Sequence, residues 1–198
     1  MTDVATPPLM VTTWHLDYQG PTLAVPDWPA GVFLLEAEVP SPELNQFLFV
    51  SVGSPWRWYG RLGWTYQQWV EYLNSGHVRT FVLYQRGTPA GYFELCRHPD
   101  DHNSVELKYF GLLPAFVGQR LGGRLVQAAI ASAQQWSPGR VWLHTCSDDH
   151  PLALSTYQKA GFVLIKTEIE PSEAPVNYAM AVLDAPYVQS RLARFKQN

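Results

Sequence analysis

The fold of this chain is decided by the stretch Leu112-Leu113-Pro114-Ala115-Phe116-Val117-Gly118-Gln119-Arg120-Leu121-Gly122-Gly123-Arg124-Leu125. An apolar, strand-like run ends at Pro114, and the helical spacing of the apolar residues that follow predicts a helix over Gly118–Trp136. The first turn of a helix leaves backbone N–H groups unpaired and partly positive, and glycine lets a phosphate approach them closely. The stretch therefore predicts either a pyrophosphate-binding turn or a tight turn in which the helix packs closely at its glycines.

The elements on either side of this turn predict an α/β (α+β) fold with a mixed, mostly antiparallel central sheet flanked by helices. The predicted strands are Leu9–Tyr18, Gly31–Val39, Val78–Gln85, Ala90–Arg97, Val105–Leu113, Val141–Cys146, Phe162–Glu168 and Asn177–Leu183. The other predicted helices run from Ser41 to about Val52 and over Thr65–Asn74, Leu152–Ala160 and Pro186–Lys196.

Length and composition limit the class of protein. The 198 residues suffice for one domain with a sizeable core, and a formal net charge of −3 argues against bulk electrostatic binding of nucleic acid or anionic lipid. Only two cysteines occur, which excludes a disulfide framework. Met1–Pro8 lacks a charged-then-apolar signal pattern and no apolar run reaches transmembrane length, so we expect a cytoplasmic protein.

Two common phosphate-binding motifs do not fit the turn. A P-loop needs Gly-Lys-Ser/Thr, and a Rossmann fingerprint needs another glycine spacing and an acidic residue after the strand Val141–Cys146. The pattern strand–Pro–x–x–[Arg/Gln]–x–x–Gly–x–[Gly/Ala] instead resembles the cofactor motif of the GNAT family of acyl-CoA-dependent N-acyltransferases. In that register Val117 stands in the Arg/Gln place, Arg120 in the place of the first glycine and Gly122 in that of the second.

A second segment, at residues 149–162, resembles the same family independently. The family pattern is Asn-x-x-Ala-x-x-x-Tyr-x-Lys-x-Gly-Phe, and His150 stands in the place of its asparagine. The residues that match are Ala153, Tyr157, Lys159, Gly161 and Phe162. The resemblance covers about residues 78–170, the expected cofactor core of a single GNAT-like domain over residues 1–198.

The resemblance implies that acetyl-CoA binds along the strand and the turn. The implied cofactor-binding residues are Phe110, Leu112, Val117, Gly118, Arg120, Gly122, Gly123, His150 and Tyr157. Arg120 is expected to have a helical backbone and to offer its guanidinium to a phosphate. Phe110–Leu112 would pair their main chain with the pantetheine arm, which requires a splay between the strands at 105–113 and 141–146. Gly111 would ease a close approach or a bulge there.

Acyl transfer to an amine needs a base, stabilisation of the carbonyl oxygen and a donor to the departing sulfur. The resemblance implies that Tyr157 is the donor, and the alternative is a core tyrosine. A carboxylate is costly to bury in an apolar strand, so Glu106 must face a cavity or a partner such as Lys108. We expect Glu106 to be the base, directly or through water, with Glu94 on the neighbouring strand as the competing carboxylate.

The acceptor side is expected at the aromatic loop of about residues 53–64. Aromatic faces hold aliphatic or cationic groups, and arginines would pair with a carboxylate of the acceptor. With Glu94, the candidate substrate-binding residues are Trp56, Arg57, Trp58 and Arg61. The alternative is a loop that folds back as a satellite core.

Two other chemistries are less favoured. A Cys146 nucleophile assisted by His144 lacks a third member, and buried thiols are usually inert. The acidic residues and histidines at 144–150 have no recognised metal-ligand spacing, so we expect no metal.

The sequence therefore predicts an N-acyltransferase that moves an acetyl group from acetyl-CoA to a primary amine by direct attack in a ternary complex. The alternative is a domain that binds coenzyme A as a sensor or scaffold without turnover. The expected partner is a small-molecule or peptide amine, with no nucleic acid and no membrane. The apolar-rich ends of the chain would support a homodimer.

Overall fold

A computed structural model describes residues 9–189 and centres on a seven-stranded sheet. Its strands are β1 (Met10–Tyr18), β2 (Val32–Glu36), β3 (Val78–Gln85), β4 (Thr88–His98), β5 (Ser104–Leu112), β6 (Val141–Cys146) and β7 (Phe162–Pro171). They lie in the order β2-β3-β4-β5-β6-β1-β7, and the pairing is antiparallel everywhere except between β5 and β6. The predicted mixed, mostly antiparallel sheet is confirmed.

Helices connect and cover this sheet. They are α1 (Pro42–Gly53), α2 (Tyr66–Leu73), α3 (Leu121–Gln134), α4 (Ala153–Lys159) and α5 (Tyr178–Leu183), with 3₁₀ turns at Ser54–Trp56 and Pro114–Phe116. Residues 186–189 are also helical, and the rest of the helix predicted over Pro186–Lys196 lies outside the described residues. Within residues 9–189, no helix combines the length and apolar character needed to cross a bilayer.

Local capping fixes where the first two helices begin. The Ser41 side chain accepts a hydrogen bond from the Leu44 amide, and Pro42 occupies the first turn of α1. Thr65 and Gln68 form a capping box at the start of α2. Both starts agree with the sequence prediction, because capping depends on residues only three positions apart.

The helices pack on both faces of the sheet. On one face, α3 buries Leu121, Leu125 and Ile130 in the main core. On the other face, Leu48 and Val52 of α1 pack against β3 and β4. Complete burial of such a side chain contributes about 1.5–3 kcal/mol, so the two helix layers hold the sheet rigidly between them.

The parallel strands β5 and β6 stay together for only a short distance. Their register contains the pairs Val105↔Val141 and Glu106↔Trp142, and beyond these pairs the two strands diverge. The predicted splay is therefore present. From residue 107 to residue 112, the side of β5 that faces β6 has no strand partner within the described part of the chain.

The prediction of a last strand over Asn177–Leu183 is wrong, because these residues belong to helix α5. The Asn177 side chain accepts a hydrogen bond from the Met180 amide and caps the helix, and the alanines that follow favour helix. The sheet is completed instead by β1, which lies between β6 and β7.

Candidate active site

A cavity of about 1090 Å³ opens where β5 and β6 diverge. Its walls come from the aromatic loop, β5, the turn before α3, the loop between β6 and α4, and the segment after β7. The predicted site residues on these walls are Trp56, Arg57, Trp58, Arg61, Phe110, Leu112, Val117, Gly118, Arg120, Gly122, His150 and Tyr157. The other three predicted site residues do not line the cavity: Glu94, Glu106 and Gly123.

The turn enters α3 through left-handed backbone. Gly118 has a φ of +83°, and Arg120, the N-cap of α3, has φ 60° and ψ 19°. The helical backbone expected at Arg120 is therefore wrong. Glycine adopts the left-handed conformation at little cost, which explains why the family's cofactor motif has a glycine where this chain has Arg120. The helix consequently begins at Leu121 rather than at Gly118.

The first turn of α3 presents unpaired amides next to the cavity. No side chain caps them and no acidic residue occupies the turn. A Cβ added at Gly118 or Gly123 would meet nothing within 4 Å beyond its own neighbours, and one at Gly122 would meet Leu112 Cδ1 at 4.0 Å. Glycine thus keeps the space in front of these amides clear, and this bare helix start fits the phosphates of coenzyme A.

A bulge shapes the unpaired side of β5. The pairs Leu95↔Leu107 and Glu94↔Tyr109 leave Lys108 without an opposite residue, so the bulge lies there. Gly111 allows a close approach instead, because a Cβ at this position would lie 2.5 Å from Cγ1 of a valine in α1. The strand beyond the bulge, with its open main-chain edge, fits an extended ligand arm.

Tyr157 of α4 faces the cavity across this edge. Its ring lies 5.6 Å from that of Phe110 and 6.1 Å from that of Phe162, measured between centroids. Its hydroxyl has no hydrogen-bond partner among residues 9–189. Burial, and to a lesser degree the charge of Asp149, raise the pKa of Tyr157 above its ordinary value, so the phenol stays protonated and free to donate.

Glu106 lies in a cluster of three basic side chains. Its carboxylate is 1% exposed, with Oε1 3.2 Å from His144 Nδ1 and 3.2 Å from Lys108 Nζ, and with Oε2 3.1 Å from His98 Nε2. Burial alone would raise the pKa of Glu106, but the hydrogen bond with His144 and the charge of Lys108 lower it. Glu106 is therefore a carboxylate at neutral pH.

Glu94 lies in a different cluster, beneath the aromatic loop. Arg61 donates to both of its oxygens, at 2.9 and 2.6 Å, and Tyr72 and Asn45 donate to it at 2.7 and 3.3 Å. Burial opposes the charge of Arg61, but Glu94 outweighs this effect and raises the pKa of the guanidinium. The guanidinium also lies 4.2–5.1 Å from the ring centroids of Tyr72, Tyr109, Trp64 and Trp69.

The aromatic loop is tied to the opposite wall of the cavity. Trp58 Nε1 donates to Asp149 Oδ1 at 3.1 Å, and the rings of Trp56 and His150 lie 5.1 Å apart in an edge-on arrangement. Asp149 is itself held by Thr145, whose hydroxyl donates to its other oxygen at 2.7 Å. These contacts join the predicted acceptor side to the predicted cofactor side.

The segment after β7 closes the acceptor end. Arg57 donates to the main-chain carbonyls of Ala174 and Pro175, and Tyr178 donates to the carbonyl of Trp58 at 2.8 Å. The guanidinium of Arg57 is therefore engaged with the protein's own main chain.

Sequence reasoning missed several residues of these clusters. His98, Tyr72 and Asn45 come from three different elements and have no motif in common. Asp149 is the first residue of the segment at 149–162, and its position next to His150, which stands in the asparagine place of the family pattern, was the available signal.

Neither a cysteine nucleophile nor a metal site is favoured by the surroundings of the described residues. Cys96 and Cys146 are free thiols. Burial and the charge of Asp149 raise the pKa of Cys146 to about 11, so the thiol is not activated as a nucleophile. Among residues 9–189, no group of three or more histidine, cysteine or acidic side chains is arranged to hold a metal ion.

Comparison with protein families gives a match to the acetyltransferase (GNAT) family over residues 43–162. The matched region contains the glycine-rich turn, the splayed strands and Tyr157, and it begins upstream of the region that the two sequence motifs cover. No curated protein sequence matches the chain significantly.

Solved structures share the fold. A GCN5-related N-acetyltransferase from Sphaerobacter thermophilus has a TM-score of 0.60 and 14% identity, covering 83% of this chain and 52% of that one. A GCN5-related N-acetyltransferase from Kribbella flavida has a TM-score of 0.52 and 19% identity, covering 89% and 61%. A GNAT family acetyltransferase from Elizabethkingia anophelis with acetyl-CoA bound has a TM-score of 0.50 and 18% identity, covering 70% and 80%. This chain thus spans only about half to three fifths of the first two proteins.

Proposed function

This chain belongs to the acetyltransferase (GNAT) family, and from this premise we propose that it transfers an acetyl group from acetyl-CoA to a primary amine by direct attack in a ternary complex. One observation carries the proposal. A single cavity joins the bare N-terminus of α3, the unpaired edge of β5 and the free hydroxyl of Tyr157. Coenzyme A, when bound, supplies the acyl group as an activated thioester.

On this proposal the turn holds the cofactor's phosphates through main-chain amides. Gly122 and Gly123 belong to the first turn of α3, where N–H groups are unpaired, and Gly118 leaves the approach to them open. Arg120 is exposed at the rim of the cavity and adds a guanidinium. Val117 and His150 line the walls beside them.

The extended arm of the cofactor follows β5. Phe110 and Leu112 lie beyond the bulge, on the stretch whose side toward β6 has no strand partner among the described residues. Main-chain hydrogen bonds to an added strand-like arm would satisfy that edge. The Elizabethkingia protein, which has acetyl-CoA bound, supports this donor through the shared fold.

Two protein groups handle the protons. Tyr157 donates the proton of its hydroxyl to the departing sulfur and recovers a proton from water, since burial keeps the phenol protonated. Glu106 is the carboxylate that supports removal of the proton from the amine, because its lowered pKa keeps it charged at neutral pH.

The acceptor side favours a cationic amine. Arg61 is paired with Glu94, and Arg57 is bonded to main-chain carbonyls, so neither guanidinium is free for an acidic acceptor. The walls instead offer the rings of Trp56 and Trp58, together with the carboxylates of residues 148, 170 and 173. Aromatic faces and carboxylates attract an ammonium group.

The experiment that tests the proposal measures release of free coenzyme A from acetyl-CoA with a panel of acceptors. A polyamine, an arylalkylamine, an aminoglycoside, a lysine-containing peptide and, as the acidic member, glutamate cover the main acceptor classes. We expect turnover with at least one cationic amine and little with glutamate. Tight binding of coenzyme A with no turnover on any amine would favour the sensor or scaffold function instead.

The cofactor site is tested by Gly122→Asp. The new carboxylate would stand in front of the free amides of α3 and repel the phosphates, and we expect coenzyme A to bind about 100-fold more weakly. Calorimetric titration with coenzyme A measures this change. Gln127→Asp adds the same charge to an exposed position of the same helix, away from the cavity, and should leave the affinity unchanged.

A further inference from the structure

The three partners of Glu106 lie between its carboxylate and the cavity. Glu106 is 1% exposed and does not line the cavity, whereas the side chains of His98, Lys108 and His144 are 36%, 33% and 42% exposed and do line it. Both carboxylate oxygens are already engaged by these partners. An amine in the cavity therefore meets an imidazole before it meets the carboxylate.

The ionised carboxylate fixes which nitrogen of His144 carries hydrogen. Nδ1 of His144 lies 3.2 Å from Oε1 of Glu106, and because a carboxylate accepts hydrogen bonds and cannot donate them, this contact favours the tautomer with its hydrogen on Nδ1. The neutral imidazole then has its lone pair on Nε2, the nitrogen on the far side of the ring. This arrangement of a buried carboxylate behind an imidazole is the one that prepares a histidine to act as a base.

His144 and His98 share the carboxylate, but they lie at different levels of the splay. His98 is opposite Ser104, on the side of Glu106 where β5 and β6 are still paired. Trp142 is the last residue of β6 that pairs with β5, and His144, two positions further on, lies on the open side of the splay. Only the open side adjoins the unpaired edge of β5 and Tyr157.

From these contacts, and resting on the proposed function, we infer that His144 accepts the proton of the acceptor amine and that Glu106 is its positioning residue. The bound ammonium first gives a proton to His144 Nε2. The neutral amine then attacks the thioester carbonyl carbon to form the new C–N bond, and the nitrogen loses its second proton to water. The C–S bond breaks, and Tyr157 donates its proton to the sulfur. The imidazolium returns its proton to water, and water restores the phenol.

Charged and titratable groups from every neighbouring strand surround His144. Glu106 and Lys108 face it from β5, Cys96 and His98 from β4, and Cys146 lies on the same face of β6. His15 of β1 has its ring 6.1 Å away and is paired with Glu168 of β7, which Lys166 also contacts. Glu106 is the carboxylate in direct contact with His144 among the described residues, so it sets the orientation of the imidazole.

The first test needs no acceptor. Nitrogen-15 NMR of the full chain with labelled histidine, at neutral pH, should show His144 with a protonated Nδ1 and an unprotonated Nε2. Glu106→Gln should remove this preference, because the amide of glutamine no longer requires a donor. A protonated Nε2 in the wild-type protein would overturn the inference.

The second test uses acetyl-CoA and the fastest amine of the acceptor panel. His144→Gln should lower kcat about 100-fold or more, leave the dissociation constant for coenzyme A unchanged and remove the acid limb of the kcat/KM profile. Glu106→Gln should lower kcat less than His144→Gln does, since it leaves the imidazole in place. His98→Gln is the matched control, and its loss should stay below about tenfold, as expected for one hydrogen bond to a shared carboxylate.

The possible failures are distinguishable. If wild-type protein releases coenzyme A with an amine but His144→Gln retains both kcat and the acid limb, the inference is wrong and the proposed function stands. A larger loss in His98→Gln than in His144→Gln would also overturn it. If wild-type protein turns over no amine at all, the proposed function fails, and the tautomer measurement alone then decides the geometry claimed for His144.

Discussion

Glu94 and Glu106 lie on neighbouring strands and face the same side of the sheet, and each carboxylate is 1% exposed, yet their surroundings are opposite in kind. The main partner of Glu94 is Arg61, a buried cation that keeps its proton at any ordinary pH. The partners of Glu106 are two half-exposed histidines and a lysine that line the cavity. Burial of the carboxylate therefore does not distinguish the two glutamates, whereas the identity and exposure of their partners do.

The largest difference between the two clusters should appear in stability. Arg61→Ala leaves the Glu94 charge buried and uncompensated, and we expect the free energy of unfolding to fall by about 3–5 kcal/mol. Lys108→Ala removes a partly exposed cation from Glu106 and should cost about 1 kcal/mol or less. Urea denaturation of both variants measures the difference, and equal losses would mean that the two clusters are of the same kind.

Turnover should separate the clusters in the opposite direction. Glu106→Gln should lower kcat by about 10- to 100-fold while the protein remains folded, because it disturbs the imidazole that accepts the proton. Glu94→Gln should act mainly on the free energy of unfolding, since its ligands lie beneath the aromatic loop. Steady-state kinetics and denaturation of both variants test this prediction. A stable Glu94→Gln protein that has lost turnover would contradict the structural role assigned to Glu94.

Tyr157→Phe tests the proposed proton donor on the other side of the cavity. Loss of the hydroxyl should lower kcat by about 10- to 100-fold and leave the affinity for coenzyme A nearly unchanged, because the ring contacts with Phe110 and Phe162 remain. Kinetics with calorimetric titration check both quantities. Retained turnover would rule out the donor role.

A smaller effect should appear in the pH dependence of stability. The pKa of Glu106 is lowered in the folded protein, so its stabilising contribution is present above the unfolded value of about 4.3 and is lost as the pH falls through the folded value. The stability difference between wild-type protein and Glu106→Gln should therefore shrink when the pH is lowered from 7 to about 3. Denaturation at both pH values measures it, and a difference that stays constant would contradict the lowered pKa.

The smallest effect is expected at the cysteine beside the Glu106 cluster. Burial and Asp149 raise the pKa of Cys146, so the thiol stays protonated at neutral pH and Cys146→Ser should change kcat by no more than a few-fold. Alkylation of the wild-type thiol by iodoacetamide at neutral pH should accordingly be slow. A severe loss of turnover in Cys146→Ser would instead support a thiol nucleophile and would contradict direct attack by the amine.

The turn and helix start to which we assign the cofactor could be predicted because they depend on local geometry. The glycines at 118, 122 and 123, the helix that follows them and Tyr157 lie in short segments whose spacing is visible in the chain. The splay also followed from the resemblance and is present. Capping at Ser41 and Thr65 was equally readable, since each cap involves residues a few positions apart.

Two other features could not be predicted from the sequence, each for a physical reason. Asn177–Leu183 was predicted to be the last strand, but one capping hydrogen bond and helix-favouring alanines make it a helix. Arg120 takes a left-handed conformation that its residue type does not favour, because the turn around it requires one.

The sequence alone predicted most of the helices and strands, the mixed sheet and the glycine-rich turn before α3, because these depend on periodicity and on neighbours within a few residues. The groups that surround each buried carboxylate are visible only in the tertiary structure. Arg61 lies 33 positions from Glu94. His144 lies on β6, which is joined to the strand of Glu106 through helix α3. The free energy of a buried charge depends on the groups within a few ångströms of it, and in each cluster the fold brings at least one of those groups from a distant part of the chain.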